Sequence, residues 1–254
     1  MKATKIISML FAAAIAVSAT AQTKIIAHRG YWNCEGSAQN SITSLEKSAE
    51  IGAYGSEFDV SITKDGVCVV NHDADVNGVN IEDNDYKKIE HMRLNNGEKL
   101  PTLADYLKAG RKHPKLQLIL EIKPHKTTEN EDRCIDETLK LVKKYGMEKQ
   151  VEFISFSKNV CKQLAIKAKG SKIQYLAGDW SPELCKNLGL TGIDYHFNEF
   201  VKHPTWIQEA HNLGLTVNVW TVNNLDKVRE LVGQKVDFIT TDKPVESKQI
   251  AEGK

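Results

Sequence analysis

Short runs of β-branched and aromatic residues alternate with longer amphipathic stretches along most of the chain, from "KIIAH" at 24–28 to "VDFITTD" at 236–242. Between them stand "GSEFDVSI", "LQLILEIK", "VEFISF", "IQYLA", "TGIDYHF" and "LTVNVWTV", so the pattern predicts eight strands. The intervening segments repeat apolar residues at helical spacing, as in "SITSLEKSAEIG", "DRCIDETLKLVKKYG", "PTWIQEAHNLG" and "NNLDKVRELVG". Several of these close on a glycine, the residue that most readily takes the left-handed conformation after a helix. Eight strand-then-helix units predict an α/β fold, a TIM-type (β/α)8 barrel whose working residues stand at the C-terminal ends of the strands.

One segment departs from the alternation. In "EFDVSITKDGVCVVNHD", residues 57–73, two strand-like runs are separated only by Lys64, Asp65 and Gly66. That is too short for a parallel crossover, so the second run folds back as a β-hairpin after the second strand. A two-residue Asp65-Gly66 turn pairs Asp59 with His72 on one face, their Cβ atoms roughly 5 Å apart, whereas a bulged turn shifts the register by one. The stretch 74–100, rich in Asn, Asp and Gly, reads as a small insertion on the barrel rim. Thr102 with Asp105 forms a capping signal for the helix that follows.

Composition narrows the class. With 254 residues, 41% hydrophobic and 26% charged, the chain is neither collagenous nor disordered, and its length suits one barrel domain. The N-terminus "MKATKIISMLFAAAIAVSATAQ" places Lys2 and Lys5 before an apolar run and ends that run at Ala19-Thr20-Ala21. This predicts a signal peptide at 1–21, a barrel domain at 22–254, and an exported protein, periplasmic or secreted. The apolar run from Ile6 to Val17 is well short of the ~20 residues that span a bilayer, so no stable membrane insertion is expected. A net charge of +1 provides no attraction for nucleic acid. The five cysteines lack the close spacing of a zinc site, and their odd number leaves at least one thiol unpaired within a monomer.

The candidate chemistry clusters at predicted strand ends. The first strand closes on "AHRG", which brings His28 and Arg29 to the barrel mouth. Glu57 and Asp59 share one side of the second strand, and "LEIKP" supplies Glu121 and Lys123 in the same alternation. Three carboxylates at one mouth repel one another unless a cation neutralises them. An all-oxygen donor set predicts one divalent cation, Ca2+ or Mg2+. Arg29 and Lys123 then suit a phosphate, and His28 and His72 the acid and base of an in-line displacement. Trp220, at the end of a late strand, offers an aromatic wall for an apolar part of the substrate. The remaining histidines, His91, His113, His125, His196, His203 and His211, lack such neighbours and read as structural or surface residues. No Gly-rich phosphate loop, Gly-x-Ser-x-Gly elbow or His-Glu-x-x-His is present, which argues against a nucleotide hydrolase, a serine esterase and a zinc protease.

Taken in order, "AHRG", "EFDVSITKDGVCVVNHD", "LEIKP", "VWTVNN" and "ITTDKP" resemble the glycerophosphodiester phosphodiesterase family from Lys24 to about Ile250. The resemblance implies a TIM-type barrel with a small insertion and metal-dependent hydrolysis of a small-molecule glycerophosphodiester to glycerol 3-phosphate and an alcohol. By motif position it implies His28 and His72 as the acid/base pair, Glu57, Asp59 and Glu121 as metal ligands, and Arg29 and Lys123 as phosphate contacts. It also implies attack by the glycerol 2-hydroxyl, giving a cyclic phosphate that water opens. The family's Glu-Asn-Thr is replaced here by Gln39, Asn40 and Ser41. Asn40 is retained to shape the substrate pocket, and Glu35 is a candidate substitute for the missing carboxylate. Two other readings share this residue set: a phosphodiesterase for phosphoinositol or other phospholipid head groups, and a glycerophosphodiester-binding protein without turnover.

Overall fold

The computed structural model describes residues 22–254, so the expected signal peptide at 1–21 lies outside the described residues. The first half runs through strand β1 (Lys24–Ala27), helix α1 (Ile42–Glu50), β2 (Gly55–Ile62), the hairpin strand β3 (Cys68–Val70), and a two-strand ribbon, β4 (Asp75–Val76) and β5 (Val79–Asn80). Helix α2 (Leu103–Gly110), β6 (Gln117–Ile122), α3 (Thr128–Tyr145), β7 (Val151–Ser155), α4 (Lys158–Lys167) and β8 (Ile173–Tyr175) follow. The chain closes with α5 (Pro182–Asn187), β9 (Gly192–His196), α6 (Phe197–Lys202), α7 (Trp206–Asn212), β10 (Thr216–Trp220), α8 (Leu225–Gly233), β11 (Phe238–Thr241) and α9 (Pro244–Ala251).

The strands β1, β2, β6, β7, β8, β9, β10 and β11 pair in parallel, and pairing of β1 with both β2 and β11 closes the cylinder. All eight predicted strands are therefore present in a TIM barrel. Each strand has two buried faces, which is why β2 shows no exposed residue. Outward residues such as Phe58, Val60, Leu118 and Leu120 pack beneath the helices. Each side chain buried this way contributes roughly 1.5–3 kcal/mol relative to leaving it exposed. Inward, Ile26, Ile119, Ile154, Leu176 and Phe238 fill the barrel below its mouth. Beside them, Tyr54 Oη donates to Glu152 Oε1 at 2.5 Å, and Lys172 Nζ lies 2.7 Å from the same oxygen.

Helix termini follow local chemistry. The Thr102 hydroxyl caps α2 by accepting from the Asp105 amide at 3.2 Å, as the spacing predicts. Helix α3 begins at Thr128 rather than near Asp132, because Thr127 accepts from the Asn130 amide and Glu129 and Glu131 fill the first turn. It ends on Gly146 at φ 65°, the expected left-handed cap. At the end of α8 the expectation of a glycine cap fails: Gly233 is the last helical residue, and Lys235 takes the positive φ of 62°.

The hairpin is correctly placed, but its two-residue turn is not observed. Val60 faces Val70 and Ile62 faces Cys68, so Asp59 stands opposite Asn71, one residue short of His72. Lys64, Asp65 and Gly66 form a three-residue loop closed by Thr63 N–H to Val67 O at 3.0 Å, with Gly66 at φ 91°. Thr63 donates to Asp65 Oδ1 at 2.6 Å, which draws Asp65 into the loop and sets the shifted register.

The predicted insertion forms a satellite cluster of Val69, Val76, Ile81, Ile89 and Leu100 beside the hairpin. Its Glu98 carboxylate accepts from the Ile42 and Thr43 amides at 3.0 and 3.3 Å, tying the insertion to the N-terminus of α1. The rim beside β1 is thereby held in place. All five cysteines are free thiols, four of them buried. No helix among the described residues is long and apolar enough to cross a membrane.

Candidate active site

The backbone turns sharply where β1 ends. Arg29 adopts φ 54° and Asn40 φ 60°, left-handed conformations that cost a non-glycine residue about 1–2 kcal/mol each. Gly30 follows at φ 75°, and a Cβ there would lie 2.2 Å from Ser44 Oγ, so only glycine lets the chain pass over α1. This turn presents the Arg29 amide to Glu57, whose Oε2 accepts from it at 2.7 Å. Asn40 clamps Asp59 from both sides: its Nδ2 donates to Oδ2 at 2.9 Å, and its Oδ1 accepts from the Asp59 amide at 3.1 Å.

Glu57, Asp59 and Glu121 are all buried, and one carboxylate oxygen from each lies within 4.8 Å of the others. Asp59 and Glu121 are register neighbours on β2 and β6, and Glu57 precedes Asp59 by two positions on the same inner face. Burial, aided by the negative charge of Asp59, pushes the Glu121 carboxyl up to about 7. Burial together with both acidic neighbours pushes Glu57 well above the ordinary carboxylate range. Burial alone would also raise Asp59, but Lys123, His72, Asn40 and Arg29 hold it below its ordinary value. Lys123 Nζ sits 3.1 Å from Asp59 Oδ1 and 2.8 Å from Glu121 Oε1, the latter without hydrogen-bond alignment. Ionised together, the three buried acids would outnumber Lys123 and the Arg29 guanidinium by one charge, and a hard divalent cation fits the oxygen donor set.

The histidines flank this group. His28 Nδ1 lies 2.8 Å from Asp242 Oδ1, and the same carboxylate accepts from Trp32 Nε1 at 2.9 Å and Asn223 Nδ2 at 2.6 Å. Against the cost of burial, these three donors hold Asp242 at about 2. Its anion orders the imidazole so that Nδ1 carries the proton and Nε2 is the ring nitrogen left for chemistry. His72 stands across the mouth, 39% exposed, with Nδ1 2.7 Å from Asp73 Oδ1. Burial lowers its pKa, partly opposed by Asp59.

A cavity of about 140 Å3 joins these groups, touching His28, Arg29, Glu57, Asp59, His72, Glu121, Lys123 and Trp220. Every predicted catalytic, ligand and phosphate residue therefore converges there. Trp220 meets Phe156 edge to face at 5.3 Å, and both rings line this cavity. Arg29 and His72 also line a wider polar cavity of about 610 Å3, built from the α1 approach loop and the insertion. Asn40 reaches this outer cavity, although its amide is occupied by Asp59. Gln39 accepts from Arg29 Nη1 at 2.7 Å and so steadies the guanidinium without neutralising it. Glu35 is exposed and lines neither cavity.

Sequence reasoning passed over three residues of the site: Asp242, Asn223 and Asp194. The first two lie within "ITTDKP" and "VWTVNN", where their strand-end positions were the available signal. Asp194, on the inner face of β9, was hidden inside the apolar-looking "TGIDYHF".

The sequence and the fold are similar to those of known proteins. The family model described as "Glycerophosphoryl diester phosphodiesterase family" matches residues 28–246. A crystal structure of a glycerophosphodiester phosphodiesterase from Parabacteroides distasonis superposes with a TM-score of 0.91 at 45% identity, covering 92% of this chain and 98% of that one. The glycerophosphodiester phosphodiesterase of Caldanaerobacter subterraneus subsp. tengcongensis is 26% identical over 240 residues, 88% of this chain and 95% of its own. A phosphodiesterase from Oleispira antarctica, solved with its product sn-glycerol-3-phosphate, shares the fold at a TM-score of 0.78 and 21% identity, over 91% of this chain and 97% of that one.

Proposed function

Because the chain belongs to the glycerophosphoryl diester phosphodiesterase family and is an enzyme that hydrolyses glycerophosphodiesters, we propose that it does so with one divalent cation and a His28/His72 pair. The observation that carries this reading is the convergence of three buried carboxylates between two histidines and two cations on one cavity. Glu57, Asp59 and Glu121 would hold Ca2+ or Mg2+, which when bound supplies positive charge to the phosphate oxygens.

Arg29 and Lys123 grip the phosphate's non-bridging oxygens and stabilise the charge that grows there as the attacking oxygen approaches. The two histidines divide the proton transfers, one removing the proton of the attacking oxygen while the other protonates the departing alkoxide. Asp242 keeps His28 in one tautomer and orientation for its share. Asn40 keeps Asp59 aligned. The attacking oxygen is the glycerol 2-hydroxyl, and water then opens the cyclic phosphate to glycerol 3-phosphate. The leaving alcohol departs into the polar outer cavity, which His72 borders. The intact histidine pair and its Asp242 support favour turnover over binding alone. The apolar N-terminal run ending at Ala19-Thr20-Ala21 supports export, to the periplasm or beyond the cell.

The deciding experiment is release of glycerol 3-phosphate from glycerophosphoethanolamine by the mature protein, with Mg2+ or Ca2+ and then with chelator. Release that needs metal and is lost in His28→Ala and in His72→Ala is the expected result. Release undiminished by thorough chelation would overturn the metal assignment. Turnover of glycerophosphoinositol alone would move the substrate to the phosphoinositol class.

A further inference from the structure

The inner cavity gathers Glu57, Asp59, Glu121, both histidines and both phosphate-binding cations, yet one more carboxyl lines this space. On β9, alternation sends Ile193 and Tyr195 into the layer beneath the helices and Asp194 into the barrel. Asp194 is 1% exposed, and its Oδ1 has no hydrogen-bond partner. A buried polar atom left unpaired is rare in folded proteins and points to a missing partner. Burial also pushes this carboxyl up to about 8, so at neutral pH it is mostly the acid, able both to donate and to accept.

The surroundings suit a short polyol. Trp220 Nε1 donates to the Asp194 carbonyl at 2.9 Å, which anchors the indole beside this carboxyl. Phe156 extends the same wall, and Lys123 Nζ stands 6.0 Å from its ring centre. Thr240 is engaged by Asn218 at 2.9 Å. Beside the phosphate-binding cations, the cavity therefore offers an aromatic face and a carboxyl whose Oδ1 is unpaired.

We propose that Asp194 is the specificity-determining residue of this site and binds the glycerol hydroxyl most distant from the phosphate. The inference rests on the glycerophosphodiester reading given above. With the phosphate held by Arg29 and Lys123, the glycerol lays its C–H groups along Phe156 and Trp220 and brings its terminal hydroxyl to Asp194. A substrate without that hydroxyl leaves Oδ1 of Asp194 unpaired in the barrel.

Two chromogenic esters test this, both releasing 4-nitrophenol in the presence of metal. One carries glycerol 3-phosphate, and the other 2-hydroxypropyl phosphate, which keeps the attacking hydroxyl and lacks only the terminal one. The wild type should prefer the glycerol ester by about 100-fold in kcat/KM, because a site built for a hydroxyl is left with an unpaired buried group by the analogue. Asp194→Val should bring that ratio close to one, and Asp194→Asn should keep most of it. A merely structural role lowers both activities together and leaves the ratio intact, which would overturn the proposal, as would a wild type that does not discriminate. If Asp194→Val does not fold, calorimetry on the wild type decides. Glycerol 3-phosphate should then bind at least about tenfold tighter than 2-hydroxypropyl phosphate, and equal affinities overturn the inference. A wild type inactive on every glycerophosphodiester overturns the proposed function itself, whereas an active but indifferent one overturns only the role of Asp194.

Discussion

The imidazole Nδ1 of His28 lies 2.8 Å from Oδ1 of Asp242, a residue 214 positions further along the chain. The pair exists because β1 and β11 are parallel neighbours, with Ala27 facing Thr241 one step before each. Asp242 is held at about 2 by its three donors and so remains an anion throughout the working range. Asp242→Asn should lower kcat by about 100-fold, the usual size of a single acid–base or electrostatic contribution, with KM changed less than about threefold. A structural role alone would not remove the strongly downfield imidazole proton resonance expected of the wild type. Its persistence in Asp242→Asn would sink the assignment.

The three carboxylates give a prediction independent of turnover. Glu57→Gln removes one anionic donor, and among the described residues Glu57 is grouped only with Asp59 and Glu121. Calorimetric titration with Ca2+ or Mg2+ should show affinity weakened by about tenfold or more relative to the wild type. Equal affinity in the two proteins would place the cation elsewhere.

Asp194 makes stability depend on pH in a definite direction. Its pKa rises from 3.8 in the unfolded chain to about 8 in the fold, so the native state holds a proton that the unfolded state has lost. Between those values unfolding releases the proton, and stability falls as pH rises. Below about pH 4 both states are protonated and the dependence vanishes. Asp194→Asn should flatten this decline, raising Tm at pH 8 relative to the wild type more than at pH 5. Parallel Tm curves for the two proteins would show that the carboxyl ionises normally.

Gly30 should tolerate no side chain. With φ at 75° and a Cβ position 2.2 Å from Ser44 Oγ and 2.8 Å from the Ser44 carbonyl carbon, Gly30→Ala forces either the turn or α1 to move. The expected cost is about 2–4 kcal/mol in urea unfolding, together with lost activity, because the same turn aims Arg29 at Glu57. An alanine variant of unchanged stability would mean that the turn has slack.

Most of the architecture was legible in the residues. Strand-length apolar runs spaced by amphipathic segments identified eight barrel strands, and period-two spacing put Glu57 with Asp59, and Glu121 with Lys123, on inner faces. Both signals are local, set by where successive side chains point along one strand or helix. The hairpin shows where such reading stops. Whether Lys64-Asp65-Gly66 makes a two- or three-residue turn depended on Thr63 capturing Asp65 and on the Tyr86 amide, 21 positions away, donating to the same carboxylate at 2.9 Å.

Asp242, Asn223 and Asp194 needed more still. An Asp near the end of a strand reads the same whether it faces solvent, supports a histidine or lies unpaired inside a barrel. His28 and Asp242 meet only when the last strand closes against the first, and Oδ1 of Asp194 is left unpaired only when eight inner faces enclose it. The sequence by itself determined the elements and the residues at their ends, because periodicity is carried by neighbours in the chain. Closure of the barrel decided which of those ends meet in one cavity, because burial and partnership are properties of the enclosed volume.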